Sequence, residues 1–249
     1  MFNIIIDPSK CKGCAECVTV CDDDALKMIA KTDEIMLKSR KTHRYFKNIG
    51  PSNEKYISGN LLIDMMLKEQ TQIYTGGAGS CAGCGEGTAL RMLCAATGSK
   101  HGEQWGIVAA TGCNTVYTST YPYNPYMVPW TNSLFENAPT YGIGVRMRWD
   151  QKGWQGKPLW VIGGDGAMYD IGFQALSRMF LSGMNIKVLV LDTQVYSNTG
   201  GQASTGTFQG QATKMSPFGS EDSGKSEARK EIAHDGLGGV VQIDAAVDE

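Results

Sequence analysis

Histidine is scarce, long apolar runs are missing, and no basic cluster is interleaved with aromatic residues. His43, His101 and His234 show no ligand spacing, so none is assigned a role. A formal net charge of -2 gives no electrostatic reason to expect nucleic acid as a partner. The opening MFNIIIDPSK lacks a basic n-region and a small-residue cleavage site, and its apolar stretch is too short to span a bilayer. A cytoplasmic location with no membrane partner is therefore expected. No internal repeat is evident, which excludes solenoid and propeller architectures.

What is present is a chain of 249 residues, 42% hydrophobic and 19% charged, enough for one large domain with a sizeable core and a small appendage. Composition divides it into a cysteine-rich module at 1–34, a polar connector at 35–74 and a glycine-rich region at 75–249. The connector lacks sustained periodicity across 38–56, and LLIDMMLKEQ at 61–70 has the pattern of a short amphipathic helix. In the last region, apolar runs at 104–110, 158–162, 186–191 and 239–244 read as buried strands separated by helical stretches. That alternation predicts an α/β fold, a parallel sheet covered by helices. After 158–162, Ile171, Ala175, Leu176 and Met179 fall on one helical face, and Gly183 can end that helix.

Four of the eight cysteines form one run, Cys11-Lys-Gly-Cys14-Ala-Glu-Cys17-Val-Thr-Val-Cys21. This is the spacing of bacterial-ferredoxin ligands, where a tight loop converges three thiolates on one [4Fe–4S] cluster and the fourth, at the start of a helix, points to another. Asp22 replaces the proline that usually follows, and no second run occurs. Either a preceding ferredoxin half lies outside the chain, which is the favoured reading, or one cluster recruits another ligand. A structural zinc site is the competing reading, although such sites usually pair two separated Cys-x-x-Cys units.

Two loops follow predicted strands: Gly163-Gly164-Asp165-Gly166 after 158–162, and Asp192 to Gly201 after 186–191. Loops at the carboxyl ends of parallel strands bind anions, because backbone amides and helix N-termini converge there. Glycine lets backbone approach phosphate, and Asp165 and Asn198 offer the hard oxygens that Mg²⁺ prefers. A diphosphate bridged to Mg²⁺ is expected. Gly-Asp-Gly alone is an ordinary turn. Its setting between strand and helix, followed by a second strand and an Asn-containing loop, resembles the motif of the thiamine-diphosphate fold.

Together with Ser80-Cys81-Ala-Gly-Cys84-Gly-Glu86, Ala110-Thr111-Gly112-Cys113, Asn132-Ser-Leu-Phe-Glu136-Asn and Tyr196-Ser-Asn-Thr-Gly-Gly-Gln202, these loops make nearly the whole chain resemble the pyruvate:ferredoxin (2-oxoacid:ferredoxin) oxidoreductase family. The resemblance implies a thiamine-diphosphate-binding fold with a ferredoxin-like [4Fe–4S] module at the amino terminus. It implies that Cys81, Cys84 and Cys113 are three ligands of the cluster nearest the cofactor, with the fourth beyond Glu249, so the carboxyl-terminal end is expected to be incomplete. Asp165, Thr193 and the Val195 carbonyl would hold Mg²⁺. Asn198 and Glu86 would act at the cofactor, and Gly164, Gly166, Thr111, Gly112, Cys113, Ser197, Thr199 and Gly200 would line it. Cys94 lies in the helical apolar stretch ALRMLCAA and reads as a core residue.

The implied reaction is coenzyme A-dependent oxidative decarboxylation of a 2-oxo acid, pyruvate by default, with electrons passing through clusters to ferredoxin or flavodoxin. A second thiamine-type domain on other subunits or segments would complete the site. Two other classes compete: a non-redox thiamine-diphosphate decarboxylase or synthase, and a ferredoxin-type carrier with an unrelated domain. The aromatic stretch from Tyr117 to Trp130 has two readings, a lining for a substrate tunnel or subunit contact, or a rigid loop packed on its own rings.

Overall fold

The computed structural model describes residues 5–6, 8, 11, 13, 15–59, 81, 84–118, 124, 126–219 and 240–244. The chain separates into two compact units, Met1–Ser58 with Cys81–Gly83, and Gly59–Ser80 with Cys84–Glu249.

In the first unit, helix α1 (Glu16–Thr19) follows a turn in which Gly13 and Ala15 take positive φ of 75° and 65°. Lys31 Nζ donates to the Pro8 carbonyl at 3.0 Å and also bonds the Cys11 carbonyl. Helix α2 (Asp33–Asn48) occupies a region where no regular element is expected from periodicity. Thr32 caps it by accepting the Ile35 N–H, and Asp33 and Glu34 complement the positive end of its dipole. Ile35, Met36, Ser39, His43 and Phe46 are half-buried along it, a stripe too mixed in polarity to stand out in the sequence. The helical pattern at 61–70 lies outside the described residues.

The second unit is built on a five-stranded sheet. Its elements are α3 (Gly85–His101), β1 (Gly106–Ala110), α4 (Cys113–Tyr117), β2 (Trp130–Ser133), α5 (Ala138–Gln151) and β3 (Leu159–Gly164). A π-helix (Gly166–Ile171), α6 (Phe173–Leu181) and β4 (Lys187–Asp192) follow, then the short pair β5 (Val195–Tyr196) and β6 (Gln202–Ala203), and β7 (Val240–Asp244). The strand order is β2-β1-β3-β4-β7, and every pairing in this sheet is parallel. The four expected strands are all present. The short edge strand β2, which among the described residues pairs only with β1, has no clear signal in the sequence because Pro129 and the aromatic stretch precede it.

Alternation along the strands divides the core. Ile107, Ala109, Trp160, Ile162, Leu189 and Leu191 pack with Leu90 and Cys94 of α3. Val108, Leu159, Val161, Val188 and Val190 pack on the other side with Leu176 and Met179 of α6. Full burial of each such aliphatic side chain contributes about 1.5–3 kcal/mol. Gly142 lets α5 approach the sheet, since a Cβ there would lie 2.6 Å from Val161 Cγ2. Arg146, fully buried on α5, bonds Asp150 at 2.8 Å and the carbonyls of Lys157 and Trp154 at 2.9 and 2.8 Å, fixing the turn into β3.

The helical face expected after β3 needs one correction. Leu176 and Met179 are buried, but Ile171 is 61% exposed. The wider π turn changes the angular spacing of residues, so Ile171 does not continue the buried face of α6. Gly183, at φ 63°, follows the end of that helix as expected.

Candidate thiamine-diphosphate site

The order of the sheet sets the place of the site. β1 leads to β2 on one side, while β2 leads back across to β3 on the other, so the direction of winding reverses between β1 and β3. In open parallel sheets, ligands bind at the carboxyl ends of strands flanking such a reversal. The loop Thr111–Gly112–Cys113 leaves β1 there, and Asp165 follows β3. Thr111 is fixed by its hydroxyl, which donates to the Ser133 carbonyl at 2.7 Å.

Asp165 is 2% exposed, and Asp192 at the end of β4 is fully buried. The Thr193 hydroxyl lies 3.3 Å from Asp165 Oδ1 and 3.0 Å from the Val195 carbonyl, with Ser197 Oγ 2.7 Å away. Ser204 bonds the second carboxylate oxygen of Asp165. Burial pushes the Asp165 carboxyl up to about 6; the Ser204 hydroxyl opposes that rise, and the charge of Asp192 adds to it. A bound cation would relieve both the desolvation and the repulsion. Carboxylate, hydroxyl and carbonyl oxygens on adjacent loops form a hard-donor set that fits Mg²⁺.

Between Thr193 and Val195 the chain takes a conformation that favours glycine, with Gln194 at φ 63°. The strain is held by a bond from the Gln194 N–H to Asp192 Oδ1 at 3.0 Å and by Thr207, which bonds the Gln194 carbonyl. Val195 is thereby turned to present its carbonyl to Thr193.

The glycines of these loops also meet constraints from this chain's own side chains. A Cβ on Gly164 would meet the Leu191 carbonyl oxygen at 3.6 Å, an ordinary contact, whereas a Cβ on Gly166 would lie 2.5 Å from the Tyr196 ring. Gly166 therefore makes room for a side chain of this same chain. Gly200, at φ 114°, ends the short 3-10 turn Ser197–Thr199. Asn198 and Thr199 are exposed on that turn, and the Thr199 hydroxyl is engaged locally with Gln202 at 2.6 Å.

Glu86 lies in the first turn of α3 and is 7% exposed. Burial pushes its carboxyl up to about 7, a hydrogen bond with Tyr117 pulls it down, and the charge of Asp165 raises it further. It can hold a proton near neutral pH within electrostatic range of the Asp165 turn.

The cysteines are placed less completely. Cys84 caps α3 and Cys113 begins α4; both are half-buried against the core. Cys81 is exposed and falls in the first unit. Cys17 lies within α1 and Cys21 beyond it, so the fourth cysteine of the run follows the helix instead of starting it. The Cys21 N–H bonds the Val18 carbonyl at 3.2 Å, which ends the helical winding before Cys21. Cys14 lies outside the described residues, among which no three His, Cys, Asp or Glu side chains gather as a metal set. Cys94 is 1% exposed, and burial pushes its thiol up to about 12, in keeping with a core residue. Tyr117, Tyr126 and Trp130 also enter the core, with the last two rings 6.2 Å apart, which favours the packed reading of that stretch. Tyr123 lies outside the described residues.

Sequence reasoning missed Ser204, Thr205 and Asp170. Ser204 is 39 residues from Asp165, and Thr205 is 35 from Asp170, so only the fold brings them together.

Comparison with known proteins agrees with this geometry. Residues 110–241 match the model of the thiamine pyrophosphate enzyme C-terminal TPP binding domain, and residues 4–27 match a 4Fe-4S binding domain. The chain is 40% identical to the pyruvate synthase subunit PorB of Pyrococcus horikoshii over 63% of its own length and 49% of that relative. It is 27% identical to a probable pyruvate-flavodoxin oxidoreductase of Escherichia coli, over 93% of this chain and 25% of that one. A solved 2-oxoglutarate:ferredoxin oxidoreductase from Magnetococcus marinus shares the fold, with a TM-score of 0.51 at 18% identity, over 67% of this chain and 62% of that one. The chain thus spans about half the length of the first of these relatives and a quarter of the second. From the fold, the buried oxygen set and the match over more than half its length, the chain belongs to the thiamine pyrophosphate enzymes and joins their C-terminal cofactor-binding domain to a 4Fe-4S binding segment.

Proposed function

We propose that this chain is the thiamine-diphosphate-binding component of a 2-oxoacid oxidoreductase, which decarboxylates a 2-oxo acid oxidatively with coenzyme A as acyl acceptor. The observation that carries this reading is the convergence of Asp165, the Thr193 hydroxyl and the Val195 carbonyl, in a chain that also bears a ferredoxin-type cysteine run. Thiamine diphosphate supplies the electron sink for decarboxylation when bound, and [4Fe–4S] clusters accept single electrons.

The residues of this chain have distinct parts in that account. Asp165, Thr193 and Val195 would hold Mg²⁺, and Ser197 orients the Thr193 hydroxyl. Gly164 and Gly166 would let backbone approach the diphosphate at the carboxyl end of β3, while Thr111, Gly112 and Cys113 form the facing loop. Glu86 would hold or release a proton at its carboxyl, and Asn198, Thr199 and Gly200 would offer polar contacts from the exposed side. Cys11, Cys14 and Cys17 would bind one cluster, with Cys21 directed to another. Cys81, Cys84 and Cys113 would contribute to a second.

Other subunits, including a second thiamine-type domain, would complete the active site. Leu134, Ile171 and Phe208 support this: each is more than half exposed, and each lies on a connection leaving the carboxyl end of β2, β3 or β4. Exposed apolar side chains around a cofactor site suit coverage by another protein surface. Among the described residues no helix is long and apolar enough to cross a membrane.

The test is viologen reduction by the complete complex with coenzyme A and a panel of 2-oxo acids. Reduction dependent on one 2-oxo acid class and on coenzyme A is expected, with pyruvate foremost. Thiamine diphosphate without iron or sulfide would indicate a non-redox decarboxylase or synthase; iron and sulfide without thiamine diphosphate would indicate an electron carrier.

A further inference from the structure

Asp170 stands at the far end of the π-helix that follows Asp165, and its carboxylate joins two segments that come after β4. The Tyr196 hydroxyl donates to Oδ2 at 2.7 Å. The Thr205 backbone N–H donates to the same oxygen at 3.1 Å, and the Thr205 hydroxyl bonds Oδ1. Donors to an ionised carboxylate make stronger bonds than neutral pairs. Tyr196 immediately precedes the Ser197–Thr199 turn, and Thr205 immediately follows Ser204, so Asp170 holds the Asn198-bearing loop at its entry and its exit.

The bonds within that loop are local. Thr199 Oγ1 meets Gln202 at 2.6 Å, and the Gly200 N–H meets the Ser197 carbonyl at 3.1 Å. They shape the loop without attaching it to the turn after β3. Attachment comes through Asp165, by Thr193 and Ser204, and through Asp170, by Tyr196 and Thr205. A cation would compete for the oxygens of Asp165. Asp170 faces no such demand in this arrangement. The Tyr196 ring also lies over Gly166, where no Cβ could fit, so the hydroxyl contact and the ring contact reinforce each other.

We infer that Asp170 is a positioning residue: by latching Tyr196 and Thr205 it holds the Val195 carbonyl and Ser204 beside Asp165, and so sets the affinity for Mg²⁺ and diphosphate. The inference rests on the thiamine-diphosphate reading of the site. It assigns Asp170 a role through other residues, without contact to cofactor or substrate.

The test is calorimetric titration of the complete complex with thiamine diphosphate and Mg²⁺, beside thermal melting without ligand. Asp170→Asn and Tyr196→Phe should each weaken binding about tenfold with little change in melting, and the double variant should be little worse than either single one. That non-additive loss is the signature of a shared latch, which general destabilisation would not give. Additive losses, or variants that melt earlier but bind as the wild type does, would overturn the inference. Should Asp170→Asn fail to fold, Thr205→Val removes one hydroxyl contact and should weaken binding about threefold; unchanged affinity there would also overturn it. A wild-type complex that takes up no thiamine diphosphate would sink the diphosphate reading itself, an outcome separable from wild-type affinity in the variants.

Discussion

Between Gly106 and Thr207 the candidate ligands stand at the ends of strands whose side chains fill two buried clusters, whereas Pro8 is the only buried residue described in the first unit. One site has a core beneath it; the other has a short helix, two residues of positive φ and a lysine bonded to backbone carbonyls. The difference concerns where order comes from. At the carboxyl ends of β3 and β4 the fold pre-positions oxygen donors, and in doing so crowds Asp165 and Asp192 in a buried place. Among the described residues of the cysteine segment little apolar surface is buried, and a bound cluster would supply the order that a core supplies elsewhere.

The largest effect that would sharpen this contrast is expected from Asp165→Ala. Loss of an outer contact to a metal ligand costs ten- to a hundredfold in affinity, so loss of the ligand itself should weaken Mg²⁺-dependent thiamine-diphosphate binding more than about a hundredfold. Iron content should stay unchanged, and calorimetry with iron assay checks both. The reverse experiment is removal of iron by a chelator. Protease cleavage within 1–58 should rise roughly tenfold while cleavage within 138–207 changes little, because there a buried core and not a cluster holds the fold. Equal acceleration in both regions would break the comparison.

Gly166→Ala comes next. Its Cβ must displace the Tyr196 ring, at a cost of about 1–3 kcal/mol in stability, and should carry the loop away from Asp165. Chemical denaturation and thiamine-diphosphate titration measure the two effects, and a companion Tyr196→Ala should recover the stability but not the binding.

The smallest effect is in pH dependence. Glu86 is pushed from 4.5 up to about 7, so the folded chain binds its proton more tightly than the unfolded chain. Its contribution to stability is fully present below pH about 4.5 and is lost as pH rises through about 7. Glu86→Gln should stabilise the ligand-free chain by roughly 3 kcal/mol at alkaline pH and by almost nothing in acid. Identical denaturation curves for the two proteins at alkaline pH would contradict the burial argument.

Much of the sheet is legible because its strands are short apolar runs ending in polar or glycine-rich loops, and the Asp165, Thr193 and Val195 positions follow from the same pattern and the family resemblance. Helix α2 escapes such reading because its half-buried stripe includes Ser39 and His43 and sits among Lys, Arg and other polar residues, leaving weak periodicity. Ile171 is misplaced because a π turn cannot be read from ordinary helical spacing. The Asp170, Tyr196 and Thr205 contacts are beyond reach for another reason: they join residues 26 and 35 positions apart through side-chain bonds with no local signature. Gly166 carries a constraint of the same kind, since the Tyr196 ring that a Cβ there would meet is 30 positions away.

The most direct test of the central claim is electron paramagnetic resonance of the anaerobically purified complex after adding a 2-oxo acid and coenzyme A, with no external acceptor. Reduced [4Fe–4S] signals that appear with the wild type and disappear with Asp165→Ala are the predicted result. Carbon dioxide release from the wild type with silent clusters would contradict the account, leaving a thiamine-dependent decarboxylase that passes no electrons to iron.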